Sequence, residues 1–134
     1  MKESPIFIPT GAAVDRKTYE TLVWLLQHTQ KFPKSQRFVM AKRMEEAVLD
    51  LQDQLLTATK GGNAVDALAA ADFHLARLKV YNRLSKDLSL MAFNTTGAIG
   101  HRQYEYLAKD LDEIGRLLGG WQRRLTRSSP SDEG

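Results

Sequence analysis

Cysteine is absent from this 134-residue chain. That removes disulfides, thiolate metal ligands and cysteine nucleophiles, and it fits a reducing, cytoplasmic setting. No apolar run approaches the ~20 residues that span a bilayer, and the start, Met1 to Pro9, is too short and too proline-broken for a signal peptide's apolar region. A membrane partner is not expected. Strand-type alternation of any useful length is missing, so the periodicity points away from a sheet. Short catalytic signatures are missing as well: there is no Walker loop, GxGxxG turn, HExxH helix, GxSxG elbow or EF-hand loop. A di-iron bundle needs Glu-x-x-His pairs, and none of His28, His74 and His101 has a carboxylate three residues before it. Asp72 and His74 point about 200° apart on a helix and cannot chelate together. No catalytic residue, metal site or cofactor is implied, and each histidine reads as a surface or partly packed residue.

What is present is helical periodicity. With 43% hydrophobic and 26% charged residues, the composition is that of a globular chain, long enough for one domain with a core. Four helices follow from period and punctuation. The first runs from about Asp15 to Gln30, with Tyr19, Leu22, Val23 and Leu26 on one face; Phe32-Pro33 ends it, because the residue before proline is pushed out of αR geometry. The second runs from about Ser35 to Thr59, with Phe38, Met44, Val48, Leu51 and Leu55 inward. Gly61-Gly62-Asn63 then reads as a stop and an N-cap.

The third helix runs from about Ala64 to Leu90, its inner stripe passing from Leu68, Ala71, Leu75 and Leu78 to Tyr81, Leu84 and Leu88. Asn94 to Gly97 breaks the pattern. The fourth, about Gly100 to Arg127, carries a seam spaced by threes and fours: Tyr104, Leu107, Leu111, Ile114, Leu118, Trp121 and Leu125. Amphipathic helices joined by short connections predict an all-α, antiparallel four-helix bundle over residues 15–127. An N-terminal arm (1–14) precedes it, with Ile6, Phe7 and Ile8 packed on their own bundle, and a disordered tail (128–134) follows.

The formal charge is +3, but the tail holds Asp132 and Glu133, which leaves 19 cations against 14 anions in residues 1–127. A nucleic-acid or acidic-protein partner is compatible with that balance. On the third predicted helix, Lys79, Arg83 and Lys86 share one face. Only Arg83 has an acid three or four residues away, Asp87, in the less favourable order. Such clustering suits a phosphate-bearing partner; a plain solvated face is the alternative. On the fourth helix, Arg102, Lys109, Arg116 and Arg123 recur every seventh residue, opposite the seam. Glu105 and Asp112 stand four residues before Lys109 and Arg116, so that half reads as self-neutralised. Arg123, Arg124 and Arg127 have no following acid before the tail, although cations there also suit the helix dipole. Lys31, Lys34 and Arg37 gather where the second helix begins and the dipole disfavours cations. Glu45 and Glu46 are expected to pair with Lys42 and Arg43. Gly115 and Gly119, four apart beside Gly120 and Trp121, mark a close approach, either by a neighbouring helix or across a subunit interface.

Taken in order, these phrases carry a resemblance: Tyr19 to Leu26, Lys31-Phe32-Pro33-Lys34-Ser35-Gln36-Arg37-Phe38-Val39, Ala70-Ala71-Asp72 through Lys79 to Leu84, and Gln103-Tyr104 through Gly119-Gly120-Trp121. Together, over residues 15–127, the set resembles Avd, the accessory variability determinant family of diversity-generating retroelements. The resemblance implies a non-enzymatic, barrel-like homopentamer that binds a reverse transcriptase and template-repeat RNA, and possibly DNA, to support adenine-specific mutagenic cDNA synthesis. It points to basic residues on the third helix, matched here by Lys79 and Arg83; Lys86 joins them by position alone. The bundle proteins encoded in intervening sequences of 23S ribosomal RNA genes share the architecture and are the nearest alternative. An oligomeric scaffold without a polymerase partner comes next, and an enzyme is the distant one.

Overall fold

Phe32 and Pro33 close the first helix, α1 (Thr10–Thr29), through a turn in which the backbone N–H of Phe32 donates to the Thr29 carbonyl at 3.1 Å. The computed structural model describes residues 10–88 and 97–128, and these contain no strand. A single turn, α2 (Lys34–Gln36), passes through a π-helical turn at Arg37–Ala41 into α3 (Lys42–Lys60). Then come α4 (Ala64–Asp87) and α5 (Gly97–Ser128). Because α2, the π turn and α3 form one continuous stretch, the fold is a four-helix bundle, and α4 and α5 are the third and fourth predicted helices. α1 begins before the expected Asp15, and its Val14 is fully buried. Ile6, Phe7, Ile8, the break at Asn94 to Thr96 and the tail from 129 onward lie outside the described residues.

The connection after α3 is built as the sequence predicts. Gly61 adopts φ +116°, a left-handed cap open to glycine without strain, and the Asn63 side-chain oxygen accepts from the Asp66 N–H at 3.1 Å. The helices pack as a ring: α1 against α3 and α5, and α4 against the same two. Cross-links run in opposite sequence directions at every seam. Asp15 meets Gln52 while Thr29 meets Glu45; Asp50 meets Arg77 while Met44 meets Ser85; Lys79 meets Asp112 while Asn82 meets the Tyr104 carbonyl. Lys17 meets Asp110 while Trp24 meets Tyr106. All neighbours are therefore antiparallel.

The α5 seam behaves as its spacing demands: Leu107, Leu111, Ile114 and Leu118 are fully buried, with Tyr104, Trp121 and Leu125 packed at its ends. Each buried leucine or isoleucine contributes ~1.5–3 kcal/mol of transfer free energy. Elsewhere the inward face departs from the prediction. Tyr19 and Val23 are exposed, and α1 instead buries Val14, Thr18, Thr21, Leu22, Leu25 and Thr29. Threonine can face inward because its hydroxyl bonds back along the helix, as Thr21 does to the Lys17 carbonyl at 2.9 Å and Thr29 to that of Leu26 at 3.4 Å. Phe38 is 83% exposed, since the π turn shifts the helical phase and brings Met40, Ala41 and Met44 inward. On α4 the stripe continues through Asn82 and Ser85 rather than Leu84 and Leu88, which are exposed, while Tyr81 is half-buried. The Asn82 amide donates to the Tyr104 carbonyl at 3.3 Å and the Ser85 hydroxyl to the Met44 sulfur at 3.2 Å, so polar groups close that end.

One ion pair ties α1 to α5. Lys17 Nζ lies 3.1 Å from Asp110 and 3.6 Å from Glu113, and the Thr21 hydroxyl also reaches Asp110 at 3.4 Å. The hydrogen bond that Lys17 donates to Asp110 raises the Lys17 pKa above its ordinary value of 10.5 against the opposing effect of burial. A raised folded-state lysine pKa means that the pair's contribution is intact below about 10.5 and lost as pH climbs through the folded value. Lys17→Met, which leaves the buried Asp110 carboxylate unpaired, is expected to cost ~1–3 kcal/mol in urea unfolding at pH 7. The difference from wild type should shrink above about pH 10.5.

Candidate nucleic-acid interface

The α4 residues that point neither into the core nor toward α3 line a flank facing α5. Lys79, Arg83 and Lys86 stand there in one exposed row, as their spacing requires. Their electrostatic surroundings differ from the sequence prediction. Lys79 Nζ lies 3.3 Å from Asp112 of α5. Lys86 lies 3.9 Å from Asp87 and 4.9 Å from the Tyr104 ring centroid, so the nearby acid serves Lys86 rather than Arg83. Arg83 has no ion-pair partner among the described residues. Helical spacing counts only acids on the same helix, and Asp112 arrives from the next one.

That capture changes the α5 stripe in turn. Asp112 pairs with Lys79 instead of Arg116, and Glu113 turns to Lys17. Arg102, Lys109, Arg116 and Arg123 are all exposed, and none has an ion pair among the described residues. Arg116 is thus without the Asp112 partner that its spacing suggests, while Arg102 and Lys109 border α1 rather than the α4–α5 seam. Surface pairs such as Lys79–Asp112 contribute ~0–1 kcal/mol, little enough for a phosphate to displace the carboxylate. By helical spacing alone Asp112 has no role beyond its own helix, and Arg116 reads as neutralised by it.

The other predicted cations do not join this surface as one patch. Lys31, Lys34 and Arg37 lie at the α1–α2 corner, diagonal to the α4–α5 seam, where the Arg37 guanidinium donates to the Phe32 carbonyl at 3.4 Å. Arg123 and Arg124 lie at the opposite end of the bundle, on the last turns of α5; Arg127 belongs to the same helix, with its side chain outside the described residues. Lys42 pairs with Glu46 at 3.9 Å as expected, whereas Glu45 accepts from the Thr29 hydroxyl and Arg43 donates to the Tyr81 hydroxyl at 3.4 Å.

Gly115 receives the tip of Leu75: a methyl group added there would stand 3.4 Å from Leu75 Cδ2 and 3.9 Å from Lys79 Nζ. Its close approach occurs within the bundle, beside the basic row. Added methyls at Gly119 and Gly120 would meet only Arg123 of their own helix, at 3.5 and 3.9 Å. Trp121 is half-buried and packs on the core. His28 stacks on Trp24 with ring centroids 3.9 Å apart, and His74 lies against Arg77 with 2.9 Å between Nδ1 and Nη1. Burial, with Arg77 adding to it, lowers the His74 pKa. His101 has its side chain outside the described residues. Among the described residues no group of three or more His, Cys, Asp or Glu could hold a metal ion, and no helix is long and apolar enough to cross a membrane.

Fold and surface together define an all-helical, four-helix-bundle protein with a cationic seam between its last two long helices. A family model described as bAvd-like matches residues 13–125, and the chain belongs to that family. No curated protein and no solved structure gives a match.

Proposed function

We propose that this chain is the Avd-type accessory protein of a diversity-generating retroelement, binding the reverse transcriptase and template-repeat RNA through the α4–α5 seam. The observation that carries this reading is the exposed row Lys79, Arg83 and Lys86, with Arg83 lacking an ion-pair partner among the described residues and a single α5 carboxylate, Asp112, drawn to Lys79. Family membership supports it, and so does the excess of cations in residues 1–127. The protein makes and breaks no covalent bond in this role; polymerisation belongs to the reverse transcriptase. The test is reverse transcription of a template-repeat RNA by the partner enzyme with and without this protein. Adenine-directed substitutions should depend on its presence, and a mutation spectrum indifferent to it would remove the reading.

Asp112 supplies a gain-of-binding check. Removing its charge frees Lys79, so Asp112→Asn should tighten RNA binding several-fold and steepen the salt dependence, with one further phosphate contact adding about −0.7 to the slope. Filter binding at two or more salt concentrations would show it.

Assembly as a homopentamer completes the proposal, and five copies at +3 would carry about +15, a field large enough to steer RNA. Helix-interior glycine costs ~0.5–1 kcal/mol relative to alanine. Gly115 has Leu75 against it, but no other helix of the chain's described residues reaches Gly119, so a neighbouring copy is proposed to pack there, beside Trp121. Gly119→Leu is expected to break the pentamer in sedimentation velocity without lowering helicity; an unchanged sedimentation coefficient would move the interface elsewhere.

A further inference from the structure

On the other side of α5 from the Lys79 row, α1 and α5 enclose an open groove of about 640 Å³, lined by Lys17, Trp24, His28, Arg102, Gln103, Tyr106, Lys109 and Asp110. Its walls are of two kinds. Trp24 forms an aromatic platform with Tyr106 at 5.0 Å and His28 at 3.9 Å between ring centroids, and Tyr106 is half exposed. Arg102 and Lys109 stand on α5 and have no ion pair among the described residues. The acid at the floor is already satisfied: Asp110 is held by Lys17 at 3.1 Å and by the Thr21 hydroxyl at 3.4 Å, while Glu113 outside the groove is also turned to Lys17. The groove therefore keeps a net positive charge. Gln103 adds a buried side-chain oxygen with no hydrogen-bond partner.

We infer that this groove is a binding site for an unstacked base of single-stranded RNA, with Trp24 and Tyr106 stacking the base and Arg102 and Lys109 holding the flanking phosphates. Sequence-tolerant single-strand binding needs these two elements together, a π surface for the base and cations that track the backbone. A duplex cannot use the platform because its bases are stacked on one another. The position fits as well: Arg116 and Lys109 lie on the outward face of α5, so a strand crossing that helix can reach both this groove and the α4 row. The inference rests on the RNA-binding reading above but adds a requirement for bases that the α4 row alone does not make.

The test separates the two. Trp121→Phe leaves Trp24 as the sole tryptophan, and its emission is followed in the full chain during titration with a 12-nucleotide single-stranded RNA, the matching duplex, and polyphosphate. The single strand should quench Trp24 saturably, whereas duplex and polyphosphate should bind without quenching. Tyr106→Leu in that background should weaken the single strand about tenfold, the effect of losing one base–aromatic stack, and leave the other two affinities unchanged. Equal quenching by all three probes, or single-strand affinity indifferent to Tyr106→Leu, overturns the groove while leaving the phosphate-binding row standing. Altered sedimentation of the Tyr106→Leu protein with unchanged RNA affinity also overturns it, assigning the groove to a protein contact. Failure of all three probes to bind removes both readings.

Discussion

Reversing the α4 row with Lys79→Glu, Arg83→Glu and Lys86→Glu is expected to weaken RNA binding by at least about 100-fold at physiological salt while helicity and assembly persist. All three side chains are exposed, so no core contact is lost, and their pairs with Asp112 and Asp87 are surface interactions of ~0–1 kcal/mol. What changes is the field over the seam. Three phosphate contacts disappear, and three carboxylates join Asp112 in repelling the backbone. Circular dichroism and sedimentation establish that the variant is intact, and fluorescence anisotropy with a template-repeat RNA reads the loss. The single reversal Arg83→Glu should carry a larger share than Lys79→Glu, because Lys79 already shares its charge with Asp112 in the free protein and Arg83 does not. Equal losses from the two single variants would mean that the Lys79–Asp112 pair is open in solution.

The largest stability effect is expected at Phe32, in the turn between α1 and α2. Its ring is fully buried in the core although it belongs to no helix. Phe32→Ala should cost ~3–5 kcal/mol, the transfer free energy of the ring plus the cavity it leaves. Against the 5–15 kcal/mol that holds a typical domain together, that is a large fraction. Urea unfolding followed at 222 nm would measure it. Phe38→Ala makes the control: that ring is 83% exposed, and its loss should change stability by less than about 0.5 kcal/mol.

This pair of phenylalanines shows where the sequence is legible and where it is not. The helices, their antiparallel order and the α5 seam follow from apolar spacing and from the Gly61–Asn63 stop, because leucine burial and capping are local signals. Phe32 reads only as punctuation before Pro33, and its burial depends on how the turn folds back. Phe38 reads as core on a straight helix, and a π turn rotates it out. On α1 apolar spacing points to Tyr19 and Val23, whereas Thr18, Thr21 and Thr29 share the inward face with Val14, Leu22 and Leu25, and the Thr21 and Thr29 hydroxyls bond along their own helix. On α4 the polar Asn82 and Ser85 take inward positions because α5 and α3 supply their partners.

Charge was legible in the same limited way. The row Lys79, Arg83 and Lys86 emerges from spacing alone, but its neutralisation does not. Asp112 lies thirty-three positions from Lys79 in the sequence and 3.3 Å away in the fold. Once it is drawn across the seam, Arg116, which looks neutralised on its own helix, is left exposed without an ion pair among the described residues. The groove between α1 and α5 was hidden for a similar reason. Trp24, His28 and Tyr106 are unremarkable as separate positions on two helices, and only their antiparallel pairing brings the rings together.

The most direct measurement is the affinity of the wild-type protein for a single-stranded template-repeat RNA across a salt series from about 50 to 500 mM. With three or four phosphates held by Lys79, Arg83, Lys86 and Arg116, the plot of log affinity against log salt should fall with a slope of about −2 to −3 per protomer. A slope near zero, or no binding at the lowest salt, would contradict the seam as a phosphate-binding surface and leave its cations to solvent or to a protein partner.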